Sequence, residues 1–203
     1  MSKNIINTIG HHVFKYLPPD FTEKGIPFLA KNSAKENESS VNGKNTEYKF
    51  QFLGEGYYFW DDNIARAHKW GNSRYKGRYL IMELPLQLKG NRFLDLVSSR
   101  EDLRLLLDVM KEVAKEIPDL KLGAFFHVMQ TMEKHQPGTW PYSIIRALNV
   151  KANAVKLPFN HIKGSDMLLD PEIIICFYEK KELNLHSIRY IDKTDKEWTP
   201  KKS

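Results

Sequence analysis

A single cysteine among 203 residues, Cys176, excludes an internal disulfide and leaves a thiolate metal cluster without ligands. No apolar run approaches the roughly 20 residues that a bilayer helix needs, so no membrane partner is expected. The opening residues MSKNIINTIGHH carry no apolar stretch followed by a small-residue cleavage site, and a cytoplasmic protein is expected. Also missing are a glycine-rich phosphate loop ending in Lys and Ser or Thr, a paired-histidine zinc motif and a Gly-x-Ser-x-Gly elbow. Several common enzyme signatures go with them, and no metal is expected.

Acidic residues are outnumbered. Twenty-five Asp and Glu against 31 Lys and Arg give a net charge of +6, which leans towards anionic partners such as nucleotides or nucleic acid. Part of that excess sits in the terminal KTDKEWTPKKS. With no internal repeat and no linker long enough to separate two cores, the reading is one domain over residues 1–192 followed by a polar basic tail, 193–203.

Along the chain the texture changes twice. From Ile5 to about Ile81 short aromatic and apolar stretches are broken by turn residues, which predicts strands with one short helix. Residues 31–48 hold little that can pack, and read as a long mobile loop, either one that closes over a site or a disordered insertion of no consequence. The middle is helical. Ser98 or Ser99 caps a helix through Leu103, Leu106, Leu107, Met110 and Val113, which stops before Pro118. A second carries Phe125, Phe126, Met129 and Met132, with His127 packing and His135 near its end, and a third is read from Trp140 through Leu148. Arg146, Lys151, Lys156, His161 and Lys163 then read as a solvated basic face or an acceptor-binding surface. PEIIICF and LHSIRYI return the chain to sheet, so the class is α+β.

The stretch GEGYYFWDDNIARAHKWG, residues 54–71, is the most informative. Two glycines let the backbone turn and approach a ligand. Alternation on a strand then puts Tyr57 and Phe59 on one face and Tyr58 and Trp60 on the other, one pair for the core and one to line a cleft. Asp61 or Asp62 is the expected cap of the helix that follows. Upstream, TIGHHVFKYLPPDFTEKGIPFL offers the adjacent histidines His11 and His12. Downstream, Glu172 enters the apolar run Ile173 to Phe177.

These three segments, in this order, resemble the ADP-ribosyltransferase superfamily, closest to its diphtheria-toxin-like branch with a histidine on the first strand, a tyrosine on the next and a glutamate on a late strand. The likeness covers residues 8–85 and 165–191 and leaves the helical middle unmatched. It implies a split β-sheet core with helices inserted between the early and late strands. It further implies NAD as substrate and transfer of ADP-ribose to a macromolecular acceptor, protein or nucleic acid, in a toxin, defence factor or housekeeping modifier. By the same resemblance Tyr58 supplies the nicotinamide-stacking face and His11 or His12 donates to the adenosine ribose, with His11 slightly favoured by its spacing to Gly25. Glu172 stabilises the positive charge that develops on the ribose as the nicotinamide bond breaks. Val13, Gly56 and Tyr57 join the cofactor-binding set. Where the family often has a second aromatic, this chain has Lys69 with Trp70 beside it. The histidine is not followed by the Gly-Ser or Gly-Thr usual in the family, which keeps a second expectation open: a non-catalytic module on the same fold that holds a nucleotide or a protein segment.

Overall fold

The computed structural model describes residues 5–16, 26–36, 46–149, 156–158, 166–168, 171–194 and 196. The chain is α+β. In order it forms β1 (Ile6–Lys15), β2 (Ser33–Glu36), β3 (Thr46–Lys49), β4 (Tyr57–Asp61), α1 (Ile64–Tyr75), β5 (Tyr79–Leu88), β6 (Phe93–Asp95), α2 (Arg100–Glu116) and α3 (Leu122–His135). Then come β7 (Ile144–Leu148), β8 (Lys156–Pro158), β9 (Asp166–Leu168), β10 (Ile173–Phe177), two 3-10 turns and β11 (Arg189–Ile191). Seven strands make one sheet in the order β11-β5-β1-β4-β10-β7-β6, while β2 with β3 and β8 with β9 form separate two-stranded ribbons.

The sheet has two unequal halves. β1 and β5 pair over ten residues, from Ile6↔Leu88 to Lys15↔Tyr79, and β4, β10 and β7 pair antiparallel on the other side. Between the halves only Gly10↔Asp61 and His11↔Trp60 are in register, after which β1 and β4 diverge. Gly56, just before β4, pairs instead with Ala30 through both its N–H and its C=O. Segment 28–30 therefore fills the edge that β1 vacates.

Side-chain alternation sorts the core into two faces. Phe14, Phe59, Ile175 and Phe177 meet Met82 and Leu84 on one of them. On the other, Leu53, Ile145, Ile174 and Cys176 pack with Leu106 of α2 and with Phe125, Phe126 and Met129 of α3, beside Trp140. The expected facing of β4 follows from this register, with Phe59 buried in the first cluster while Tyr58 and Trp60 border the second. Burying the four aromatic rings Phe59, Phe125, Phe126 and Phe177 contributes on the order of 2 kcal/mol each.

Four local expectations are corrected. The helix read from Trp140 to Leu148 is strand β7, because Ile144 and Ile145 are β-branched and the segment finds partners on both sides, β10 and β6. Residues at both ends of 31–48 are not loop but the ribbon Ser33↔Lys49 to Glu36↔Thr46, and 37–45 lie outside the described residues. The cap of α1 is neither Asp61 nor Asp62. Asn63 accepts from the Arg66 N–H instead, while Ser99 caps α2 as read. Finally, Arg146 is not on a basic face: its Nε donates to Asp61 Oδ2 at 2.6 Å and its NH1 to Asp95 Oδ1 at 3.2 Å and Ser98 Oγ at 3.0 Å. The other Asp61 oxygen accepts from Thr8. Lys151, His161 and Lys163 lie outside the described residues, as do 195 and 197–203 of the tail.

This buried cluster of two carboxylates and one guanidinium ties β4, β6 and β7 together. Replacing Arg146 by Met leaves both carboxylates without their counter-charge, and we expect a loss of about 3–5 kcal/mol of unfolding free energy in urea titration, much of it recovered when Asp61→Asn and Asp95→Asn are added. A loss under about 1 kcal/mol for the single variant contradicts the assignment.

Candidate active site

Where β1 and β4 part, a cavity of about 510 Å³ opens, a volume within the ~300–1,000 Å³ of small-molecule sites. In a continued ladder Val13 would face Tyr58, and the Val13 N–H would donate to the Tyr58 carbonyl. The imidazole of His12 takes that place: its Nδ1 lies 2.9 Å from Tyr58 O, and its Nε2 accepts from the Phe28 N–H at 3.2 Å. The ring thus bridges the two halves of the sheet and segment 28–30. Burial pushes the His12 pKa down to about 4, with the bond to the Tyr58 carbonyl opposing the shift, so the ring is neutral at neutral pH. Because Ile9 O accepts from Asp62 N, odd positions of β1 direct their backbone groups towards β4. The N–H and C=O of Val13 accordingly face the wedge, and Val13 borders the cavity.

Tyr58 forms a second wall. Its hydroxyl donates to Gly54 O at 2.7 Å and accepts from the Leu53 N–H at 2.8 Å, which fixes the ring plane. Gly54 adopts φ +85, a conformation that glycine takes without strain. Burial, reinforced by Cys176 and Tyr178, holds the phenol far above its ordinary value and hence protonated. The turn is anchored from behind by α3, where Gln130 donates to Glu55 O and accepts from the Glu55 N–H. Trp60 and Trp70 close a third side, their rings 6.4 Å apart and tilted by 59°, with Trp70 47% exposed at the mouth beside Arg74.

Glu172 stands behind the cavity, not at its rim. Its carboxylate is buried, with Oε1 2.8 Å from Arg66 NH1 of α1 and Oε2 accepting from Asn149 Nδ2 at 3.1 Å. Asn149 itself borders the cavity, and its N–H donates to Glu172 O. The carboxylate therefore reaches the cavity through one amide side chain.

Of the residues picked from the sequence, His12, Val13, Tyr58 and Trp70 border this one cavity and Glu172 lies one residue behind it. Others are elsewhere. His11 points to the opposite face, where Nε2 is 3.4 Å from Glu83 Oε2, because neighbouring positions on a strand alternate. Burial lowers its pKa, against the opposing pull of Glu83. Tyr57 packs on the Phe59–Phe177 core instead of the cavity, and both backbone groups of Gly56 are taken by Ala30. Both ring nitrogens of His12, expected to donate to a ribose, are engaged here by Tyr58 O and the Phe28 N–H. His127, read as packing, accepts at Nδ1 from Asn32 Nδ2 under Phe50. Sequence reasoning missed Phe28, Arg66, Arg74 and Asn149. The i, i+4, i+8 spacing of Arg66, Trp70 and Arg74 on one helix row was the available signal for two of them.

No group of His, Cys, Asp and Glu able to hold a metal ion occurs among the described residues, and no helix among them is long and apolar enough to cross a membrane. Compared with family models, with curated proteins and with solved structures, the chain matches none.

The depressed His12 value has a pH consequence. The unfolded chain binds this proton below about 6.5 and the folded ring only below about 4, so the contribution is complete above 6.5 and drains away as pH falls towards 4. Over that window it amounts to about 3 kcal/mol. Urea titrations from pH 4 to 7 are expected to show this rise for the wild type and a shallower one for His12→Gln; equal slopes contradict the neutral, buried assignment.

Proposed function

We propose that this chain is an NAD-dependent mono-ADP-ribosyltransferase that cleaves the bond between nicotinamide and ribose and passes ADP-ribose to a macromolecular acceptor. One observation carries the reading: β1, β4 and β10 are consecutive neighbours in the sheet, His12 and Tyr58 border a single cavity, and Glu172, at the entrance of β10, lies one residue behind it in contact with the cavity residue Asn149. The cavity's chemistry supports it. A flat nicotinamide ring finds the Tyr58 face with Trp70 across the mouth, an offset contact worth on the order of 1 kcal/mol beyond burial. Its carboxamide has a donor and an acceptor to meet in the backbone of Val13. His12 serves as a strut that keeps the wedge open. As nicotinamide leaves, positive charge gathers on the ribose, and the Glu172 carboxylate, oriented by Asn149 and Arg66, stabilises it more in the transition state than before it.

One feature favours a second reading, a non-catalytic nucleotide-binding module. Arg66 and Asn149 both engage the carboxylate that the reaction needs.

The two readings part in one experiment. Incubated with NAD and cell extract as acceptor source, the wild type is expected to release nicotinamide, and Glu172→Gln to do so about 10²–10³-fold more slowly with NAD affinity within a few-fold. Tyr58→Phe keeps the stacking face and is expected to retain most of the rate, whereas Tyr58→Ala loses it. NAD binding by calorimetry without any nicotinamide release supports the binding module, and neither binding nor release removes both.

A further inference from the structure

From Asn63 to Met82 the chain contains no acidic residue, yet it carries Arg66, Lys69, Arg74, Lys76 and Arg78. Arg66 is consumed by Glu172. The other four are exposed, and so is Lys15, which stands opposite Tyr79 on β1 at the same end of the sheet. None of these five makes an ion pair among the described residues, whereas Arg92, Arg146, Lys111, Lys115, Lys181 and Arg189 all do. Residues 63–82 thus form a stretch of exposed, unpaired positive charge along α1 and its C-terminal turn, with no acidic residue of their own.

Helix geometry relates this ridge to the cavity. Trp70 and Arg74, one turn apart, border the mouth, Lys69 and Ser73 form the adjacent outward row, and Lys76 follows at the C-terminal cap of the helix. An exposed indole thus sits between a line of unpaired cations and the cavity. We propose that this ridge binds single-stranded nucleic acid and presents it to the cavity as the acceptor, an assignment that rests on the transferase reading for its second half. Four cations suit a run of phosphates, and Trp70 offers a face on which an unpaired base stacks. A duplex keeps its bases stacked on one another and leaves that face unused. An anionic membrane calls for apolar neighbours, but the exposed residues next to Trp70 along α1 are Lys69, Asn72, Ser73 and Arg74. In the transfer step the nicotinamide N–C1′ bond breaks, and nicotinamide leaves with the electron pair. A protonated heteroatom of the strand supplies the pair for the new bond to C1′ and releases its proton to solvent.

The test is fluorescence anisotropy with labelled 12-mers of deoxythymidine and of uridine, without NAD. With about four phosphate contacts, affinity is expected to fall about 50-fold between 50 and 200 mM NaCl. Lys69→Glu/Lys76→Glu/Arg78→Glu is expected to bind at least tenfold more weakly at 50 mM, and Trp70→Ala about tenfold more weakly. Nicotinamide release by the triple variant without a strand should match the wild type. With adenine-labelled NAD, label should move onto the wild-type-bound strand. Equal affinity of wild type and triple variant, or tighter binding to a duplex, to polyglutamate or to phosphatidylserine vesicles, overturns the surface. Strand binding with nicotinamide release but no labelled strand overturns the acceptor role. Absence of nicotinamide release altogether, with strand binding intact, counts against the transferase reading alone.

Discussion

The arrangement depends on a ladder that stops. After His11↔Trp60 the backbone pairing of β1 with β4 ends, and one side chain does the work of the missing rungs. His12 places a ring nitrogen against the Tyr58 carbonyl that the Val13 N–H would otherwise meet, and its second nitrogen secures Phe28. Both halves of the sheet are thereby held apart at a fixed distance, and backbone polar groups of β1 are turned into a cavity instead of into a neighbouring strand. Such a strut works only while it is uncharged. A protonated imidazole would have two donors facing one carbonyl and one N–H, and it would carry its charge into a buried position, which is why burial drives the pKa so far down.

From that wedge the remaining elements follow in order of distance. Segment 28–30 occupies the edge of β4 that β1 leaves, α3 clamps the Gly54–Gly56 turn through Gln130, and α1 lies across the β1 side with Arg66 reaching behind the cavity to Glu172. Close approach makes some of this unforgiving: a Cβ on Gly56 would lie 2.4 Å from Cys176 Sγ and 2.8 Å from Phe177 O. The second charged cluster, Arg146 with Asp61 and Asp95, lies at the far end of β4. It stiffens the strand without touching the cavity.

How much of this could be read beforehand differs by element. The periodicity of α2 and α3 was legible because their apolar residues recur at helical spacing, and Ser99 announced a start. Strand β7 was not, since Ile144, Ile145 and Leu148 fit a helical stripe as well as a strand; the deciding facts are its neighbours β6 and β10, which are tertiary. Among site residues, Tyr58 was reachable from alternation within an aromatic strand. The choice between His11 and His12 needed the register to β4, and the sequence carried no sign that an imidazole would replace a backbone rung. Asn149 was invisible for the same reason, because only the fold brings it to the cavity and to Glu172.

A neutral strut also bears on the chemistry proposed for the cavity. If positive charge is to gather on a ribose beside β1, a histidinium there would oppose it, and at an effective dielectric near 20 two unit charges about 5 Å apart repel by roughly 3 kcal/mol. His12 avoids that cost by being unable to hold its proton at neutral pH. Arg66, a largely buried cation near the site, stands on the other side of Glu172, where the carboxylate lies between it and the cavity side chain Asn149. Charge is thus ordered along a line: guanidinium, carboxylate, amide, cavity. In that order the carboxylate stands nearer the cavity than the guanidinium, which acts mainly to hold it in place. Exchanging the strut for a residue that stays charged would disturb this order without altering a single contact of Glu172.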